Sequence, residues 1–129
     1  MKKKILIVSA SYYRNITSGL INSAIKSIPK TNKVRIIEVP GAFEIPVVIS
    51  KNINKYDAFL ALGCVIKGKT PHFDFISQTS INAIMDLSIT SKKPIGNGII
   101  TCLNMSQAKA RIIKGAEAAK AVISILSLK

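Results

Sequence analysis

Nine consecutive residues, Ala58-Phe59-Leu60-Ala61-Leu62-Gly63-Cys64-Val65-Ile66, carry no charge and nothing more polar than a thiol. A strand with one wet face alternates apolar and polar side chains. A run that is apolar at every position suits a parallel strand covered on both faces. Such a strand belongs to a sheet layered between helices, and the rest of the chain supplies the remaining strands and the helices.

Lys4-Ile5-Leu6-Ile7-Val8 reads as a first buried strand, and Val34–Val39, rich in branched residues, as a second. Thr17 is placed to cap a helix over about Ser18–Ile28, with Leu20, Ile21, Ala24, Ile25 and Ile28 at helical spacing and Pro29 as its stop. Pro40-Gly41 is a turn, and a helix over about Phe43–Ile53 follows, with Pro46 tolerable in its first turn. After the central strand comes the polar loop Lys67-Gly68-Lys69-Thr70-Pro71-His72, then a long helix from about Phe73 to Ser91 that buries Ile76, Ile84 and Leu87. Pro94–Thr101 makes a fourth strand, broken by Gly96 and Gly98. One last helix covers about Ser106–Leu128, with Ala108, Ile112, Ala116, Ala119, Val122, Ile123 and Leu126 as its core stripe. Strand and helix alternate four times. This predicts a three-layer α/β domain spanning residues 1–129, a four-stranded parallel sheet with helices on both faces. Ligands of such sheets bind beyond the carboxyl ends of the strands. The loops that matter are therefore 9–17, 39–44, 66–72 and 101–106.

Composition narrows the function classes. Hydrophobic residues make up 48% of the 129 residues and charged ones 19%, which argues against disorder and allows one real core. The formal charge of +13 invites a nucleic-acid reading, but its distribution speaks against one. The lysines are scattered, and only Arg14, Arg35 and Arg111 offer the bidentate fork that base-reading sites favour. A solvated basic surface that also favours a small anionic substrate is the simpler account. Cys64 and Cys102 make neither a zinc spacing nor a CxxC pair and read as reduced core residues. No apolar window approaches the roughly 18 residues of a membrane span, and the apolar run after Met1-Lys2-Lys3-Lys4 is too short for a secretion signal. These readings place the chain in the cytoplasm with no membrane partner and no nucleic acid.

Four strand-end loops carry the candidate chemistry. His72 is the only histidine, and it stands just past the most buried strand. An imidazole there moves protons near neutral pH; elsewhere in proteins a lone histidine is often structural. Gly68-Lys69-Thr70 precedes a helix start, where a close-approaching backbone, a hydroxyl and free N–H groups suit a phosphate without any P-loop spacing. Glu44 reads equally as a helix-dipole partner or as a carboxylate accepting bonds from a ligand. Tyr12 and Tyr13 are either a stacking platform or packing residues. Arg111 is an anion clamp or a surface cation. Neither a metal cluster nor a dinucleotide glycine fingerprint occurs.

Three segments stand out together: Tyr12 to Thr17 (Tyr-Tyr-Arg-Asn-Ile-Thr), Val39 to Pro46 (Val-Pro-Gly-Ala-Phe-Glu-Ile-Pro) and Leu62 to Asp74 (Leu-Gly-Cys-Val-Ile-Lys-Gly-Lys-Thr-Pro-His-Phe-Asp). In their order and spacing the chain shows a resemblance to the lumazine synthase family of riboflavin biosynthesis. Pro94 to Thr101 and Gln107-Ala108-Lys109-Ala110-Arg111 continue it. It implies a flavodoxin-like fold and a transferase with two small-molecule substrates, one phosphorylated. A 5-amino-6-(D-ribitylamino)pyrimidine-2,4-dione condenses with 3,4-dihydroxy-2-butanone 4-phosphate to 6,7-dimethyl-8-ribityllumazine, and phosphate leaves. No metal or organic cofactor is implied. By position Tyr12 would stack on the pyrimidine, Gly41, Ala42, Phe43 and Glu44 would hold the ribityl chain, and Val65, Ile66 and Lys67 would line the ring pocket. Gly68, Lys69 and Thr70 would take the phosphate with Arg111, and His72 would shuttle protons.

The resemblance also implies self-association into pentamers, with a decamer or a sixty-subunit shell as larger forms, and a site shared by neighbours. Asn97 and Arg111 would then reach the site from the next chain. The chain departs from the family in three places. Asn97 stands where many members have an aromatic, and the segment Arg111-Ile112-Ile113-Lys114-Gly115 is abbreviated, leaving Lys114 as the candidate for the phosphate-side lysine. A first strand that begins at about Lys4 leaves out an extension that pairs with a neighbour's sheet in several members, which points to a pentamer or decamer. Two rival readings remain on residues alone: a flavin or lumazine carrier without the chemistry, and an RNA-binding protein whose affinity would fall steeply with salt.

Overall fold

Strands form where branched apolar residues run together: β1 (Lys4–Ala10), β2 (Lys33–Val39), β3 (Ala58–Ile66) and β4 (Ile95–Cys102). The computed structural model describes residues 2–128. All strand pairs are parallel and the order across the sheet is β2-β1-β3-β4. The register sets Ile7 beside Ile36 and Leu60, and Leu60 beside Gly96. The helices are α1 (Arg14–Lys26), α2 (Ile45–Lys51), α3 (His72–Ser91), α4 (Met105–Ala110) and α5 (Lys114–Leu126), with a short 3₁₀ turn at Ala42–Glu44 ahead of α2. This is the three-layer α/β arrangement that the alternation predicts and the flavodoxin-like fold that the resemblance implies.

The uninterrupted apolar runs of β1 and β3 are explained by their central position. Ile5, Ile7, Leu60, Leu62 and Cys64 pack on one face with Ile16, Leu20 and Ala24 of α1 and Ala118, Ala119 and Val122 of α5. Leu6, Val8, Ala10, Phe59 and Ala61 pack on the other with Ile45 and Ile49 of α2 and Ile84 of α3. The period of two along each strand divides it between two cores. β2 lies at an edge, and its Val34 and Ile36 stay exposed.

Three local expectations are corrected. Thr17 does not cap α1: the helix begins at Arg14, and Thr17 lies inside its first turn with its hydroxyl on the Ala10 carbonyl at 2.6 Å. Gly96 and Gly98 do not break β4, which runs through both. They make room instead, since a Cβ at Gly96 would lie 2.6 Å from both the Ala118 carbonyl oxygen and Leu60. The single C-terminal helix is two helices. Asn104 caps α4 by accepting the Gln107 N–H at 2.9 Å, while the Gln107 side chain accepts the Leu103 N–H at 2.8 Å, a capping-box-like exchange. The break at residues 111–113 is stabilised by Ser23 of α1, whose hydroxyl donates to the Ile112 carbonyl at 2.8 Å and accepts the Ala116 N–H at 3.1 Å. The break also moves the stripe: Ile112 is exposed and Ala118, not Ala116, is buried.

Candidate functional site

From β1 the chain passes outward to β2, then returns across the sheet to β3 and β4, so the strand order reverses between β1 and β3. Loops leave that point in opposite directions and a crevice opens between them. A cleft of about 690 Å³ occupies it. The β1–α1 turn brings Tyr12 and Tyr13, whose rings meet edge to face at 4.9 Å and 84°. The turn after β2 brings Gly41, Ala42, Phe43 and Glu44, and the end of β3 brings Cys64, Val65 and Ile66. Gly68, Thr70 and His72 close it from the loop before α3. A larger groove of about 860 Å³, at the other end of the sheet, is lined by lysines, Arg35, Val34, Asn54 and Tyr56 and has no histidine.

Each wall has a local cause. Pro46 falls in the first turn of α2, where its missing N–H is harmless, and this fixes the helix start just after Glu44. The Glu44 carboxylate folds back so that a Cβ at Gly41 would lie 3.2 Å from Oε1. Ser80, buried on α3, donates to the Ala42 carbonyl at 3.4 Å and links the helix that starts with His72 to the turn that carries Glu44. α3 is 20 residues long and begins at the cleft with His72, so its N-terminal N–H groups and positive dipole end lie at the cleft wall, an arrangement that suits an anion. The Thr70 hydroxyl accepts the His72 backbone N–H at 3.4 Å, a long bond that a ligand can replace.

Of the residues singled out from the sequence, Tyr12, Tyr13, Gly41, Ala42, Phe43, Glu44, Val65, Ile66, Gly68, Thr70 and His72 line this one cleft. Lys67 and Lys69 are exposed on the same loop without lining it. Asn97, Arg111 and Lys114 lie elsewhere. Asn97 is in edge strand β4, opposite Ala61, and its side-chain oxygen accepts the Ile99 N–H at 3.0 Å. Arg111 follows α4 and donates to the Thr101 carbonyl at 3.0 Å. Lys114 opens α5. Of the four strand-end loops expected to build the site, the one after β4 adds nothing to this chain's cleft.

The sequence reading missed three lining residues. Phe73 and Ile76 follow His72 at the spacing of one helix face, a signal that was available. Cys64 was read as core; it is free and buried, yet its edge reaches the cleft. Burial pushes its thiol up to about 12, and the neighbouring Cys102 adds to the effect. Burial also raises the Tyr13 phenol, with Tyr12 and Cys64 contributing. Both groups are therefore neutral walls at physiological pH. Glu44 is the single acid among the lining residues. The space thus combines a carboxylate, an imidazole, aromatic rings and a helix start, which suits a hydroxyl-rich ring compound beside an anion.

The chain matches the family model described as 6,7-dimethyl-8-ribityllumazine synthase over residues 2–129. A protein named 6,7-dimethyl-8-ribityllumazine synthase from Methylorubrum populi is 42% identical, over 98% of this chain and 82% of its own. Proteins of the same name from Bartonella tribocorum and Agrobacterium fabrum are 40% and 39% identical, over 100% and 99% of this chain and 93% and 95% of theirs.

Proposed function

The chain belongs to the 6,7-dimethyl-8-ribityllumazine synthase family, and from that premise we propose that the cleft beyond β1 and β3 is its active site. The enzyme is a transferase of riboflavin biosynthesis. It condenses 5-amino-6-(D-ribitylamino)pyrimidine-2,4-dione with 3,4-dihydroxy-2-butanone 4-phosphate to 6,7-dimethyl-8-ribityllumazine. The observation that carries the assignment of the site is that His72, Glu44, Tyr12 and the Gly68–Thr70 loop line one cleft.

The roles follow from chemistry and position. The pyrimidine amine attacks the ketone carbonyl, water leaves as the imine forms, phosphate is eliminated, and ring closure releases a second water. Protons move at each step. His72 is the group among the lining residues suited to carry them near neutral pH. Tyr12 stacks on the ring, Glu44 accepts bonds from the ribityl hydroxyls, and Val65 and Ile66 shape the ring pocket. The α3 start with Gly68, Lys69 and Thr70 receives the phosphate, whose departure is eased when N–H groups and cations meet its charge. Holding the two reactants together can itself lower the barrier by up to ~10 kcal/mol. The reading calls on no cofactor.

Arg111, Lys114 and Asn97 belong to the reading as residues of a neighbouring copy that complete the phosphate and ring ends. Their position away from this chain's cleft supports that role, and so do the exposed Phe43, Val47, Phe75, Met85 and Ile89 on the α2 and α3 side. The assembly we propose is a pentamer, and the location of this biosynthetic enzyme the cytoplasm. No helix of the described residues is long and apolar enough to cross a membrane. The test is to mix the purified protein with both substrates and follow lumazine absorbance, with light scattering on the same sample. Product formation by a five-subunit particle is the expected outcome; tight flavin binding without product would replace the enzyme by a carrier.

A further inference from the structure

Three polar residues are buried among the described ones, Ser9, Thr17 and Ser80, and Thr17 lies in α1 four residues after Tyr13, a residue of the cleft wall. A threonine inside a helix ordinarily bonds the carbonyl four residues back. Thr17 has that carbonyl, of Tyr13, at 3.2 Å. Tyr13 already receives the N–H groups of Ile16 and Thr17, each at 3.0 Å. A hydroxyl has one proton to give. The shorter contact, 2.6 Å, goes to the Ala10 carbonyl, outside the helix and at the last residue of β1. Between Ala10 and α1 lie three residues, Ser11, Tyr12 and Tyr13. The first of them is tied to the end of β2, the Ser11 N–H donating to the Val39 carbonyl at 2.8 Å. The turn is therefore anchored to β2 at its start and bolted across its base by one buried hydroxyl. The side chain it presents, Tyr12, is itself 76% exposed and touches the ring of Tyr13 edge-on.

We propose that Thr17 is a positioning residue for the pyrimidine substrate: its hydroxyl fixes the β1–α1 turn at the angle that holds Tyr12 over the cleft. The inference rests on the reading of Tyr12 as the ring's stacking partner. Without the hydroxyl, Ala10, itself 2% exposed, keeps a carbonyl deprived of this donor, and the turn is free to find another one. A change in turn angle alters how well the ring is held and leaves the phosphate end untouched.

The test is steady-state kinetics with each substrate varied in turn. Thr17→Val keeps the shape and removes the donor. The KM for the pyrimidinedione should rise about 5-fold, the KM for the butanone phosphate staying within about 2-fold, as expected when a neutral hydrogen bond that acts only on binding is lost. Thr17→Ser, which keeps a hydroxyl, should restore the wild-type value. In a Tyr12→Ala background Thr17→Val should add nothing. An unchanged KM in Thr17→Val, a rise that persists in full without Tyr12, or a folded Thr17→Ser that fails to rescue would each overturn the inference. If the valine prevents folding, Thr17→Ala takes its place in the same cycle. Tyr12→Ala with a wild-type KM would instead remove the stacking reading beneath it, an outcome seen without touching Thr17.

Discussion

The carboxyl rim of the sheet is built in two different ways. Beyond β1, β2 and β3 three turns lean toward one another, and eleven residues flagged by the sequence line a single cleft. Beyond β4 the chain turns straight into α4, and Arg111 and Lys114 spread over the surface while Asn97 stays back in the strand. The first half is made by topology, because a reversal of strand order opens a crevice whatever the loops contain. The second half has cations, and Asn97, Arg111 and Lys114 line no part of this cleft. On the function proposed above, the contrast assigns the ring, ribityl and proton-transfer parts of the reaction to the cleft of one chain, and the β4-side cations to the cleft of another copy.

The boundary between the halves is marked by two thiols, Cys64 in the cleft wall at the end of β3 and Cys102 at the end of β4, with an Arg111 guanidinium nitrogen 4.0 Å from the Cys102 sulfur. The largest expected effect is here. With its pKa pushed up to about 12, Cys64 has its thiolate form suppressed. At pH 8 alkylation by iodoacetamide should be about 10³-fold slower than for a free thiol of pKa about 8.5. The sign follows from the neutral form being the favoured one: the rate should keep climbing above pH 9, where a free thiol levels off. Mass spectrometry of peptides across that pH range measures it. A plateau near pH 9 would mean that the cleft wall is wetter than its burial implies.

How much of this was legible in the residues differs between the halves for physical reasons. β1 and β3 were readable because a strand covered on both faces must be apolar at every position. Glu44 and His72 were readable because Pro46 and the Gly68–Pro71 segment mark helix starts. The β4 side was harder. The break at residues 111–113 is supported by Ser23, 89 residues before its partner Ile112, which no local pattern announces. Thr17 looked like a cap because its hydroxyl is of the capping type; the partner it chose, at the end of β1, is visible only once the helix is packed on the strand. Cys64 was apolar by pattern and lining by geometry, since a strand's last residues leave the core one at a time.

The next effect tests whether the two halves meet across subunits. Arg111→Ala should raise the KM for the butanone phosphate about 10- to 100-fold, the range for losing a charged hydrogen bond, with the pyrimidine KM little changed. His72→Ala should slow turnover about 10-fold, a general acid–base contribution in part replaced by positioning. Mixing and reassembling the two variants should return part of the lost activity, because some cleft–neighbour pairs then carry both an intact His72 and an intact Arg111. Activity that stays at the lower of the two parents would break the comparison and put Arg111 outside the reaction.

The smallest effect separates the two ends inside the complete half. Gly41 has φ −147°, which alanine adopts without strain, so Gly41→Ala acts through its new methyl alone. That methyl would lie 3.2 Å from Glu44 Oε1, close enough that the carboxylate must give by a few tenths of an ångström. If Glu44 holds the ribityl hydroxyls, the KM for the pyrimidinedione should rise about 3-fold, the scale of a weakened hydrogen bond, with no loss of thermal stability. A Cβ at Gly68 meets nothing within 4 Å, so Gly68→Ala is sterically free in the unliganded protein and can act only by standing between the backbone and a ligand. It should therefore raise the KM for the phosphorylated substrate and spare the other. A Gly41→Ala variant that moved the phosphate-side KM, or a Gly68→Ala variant that moved the ring-side one, would exchange the two ends of the cleft and require the substrates to be turned around.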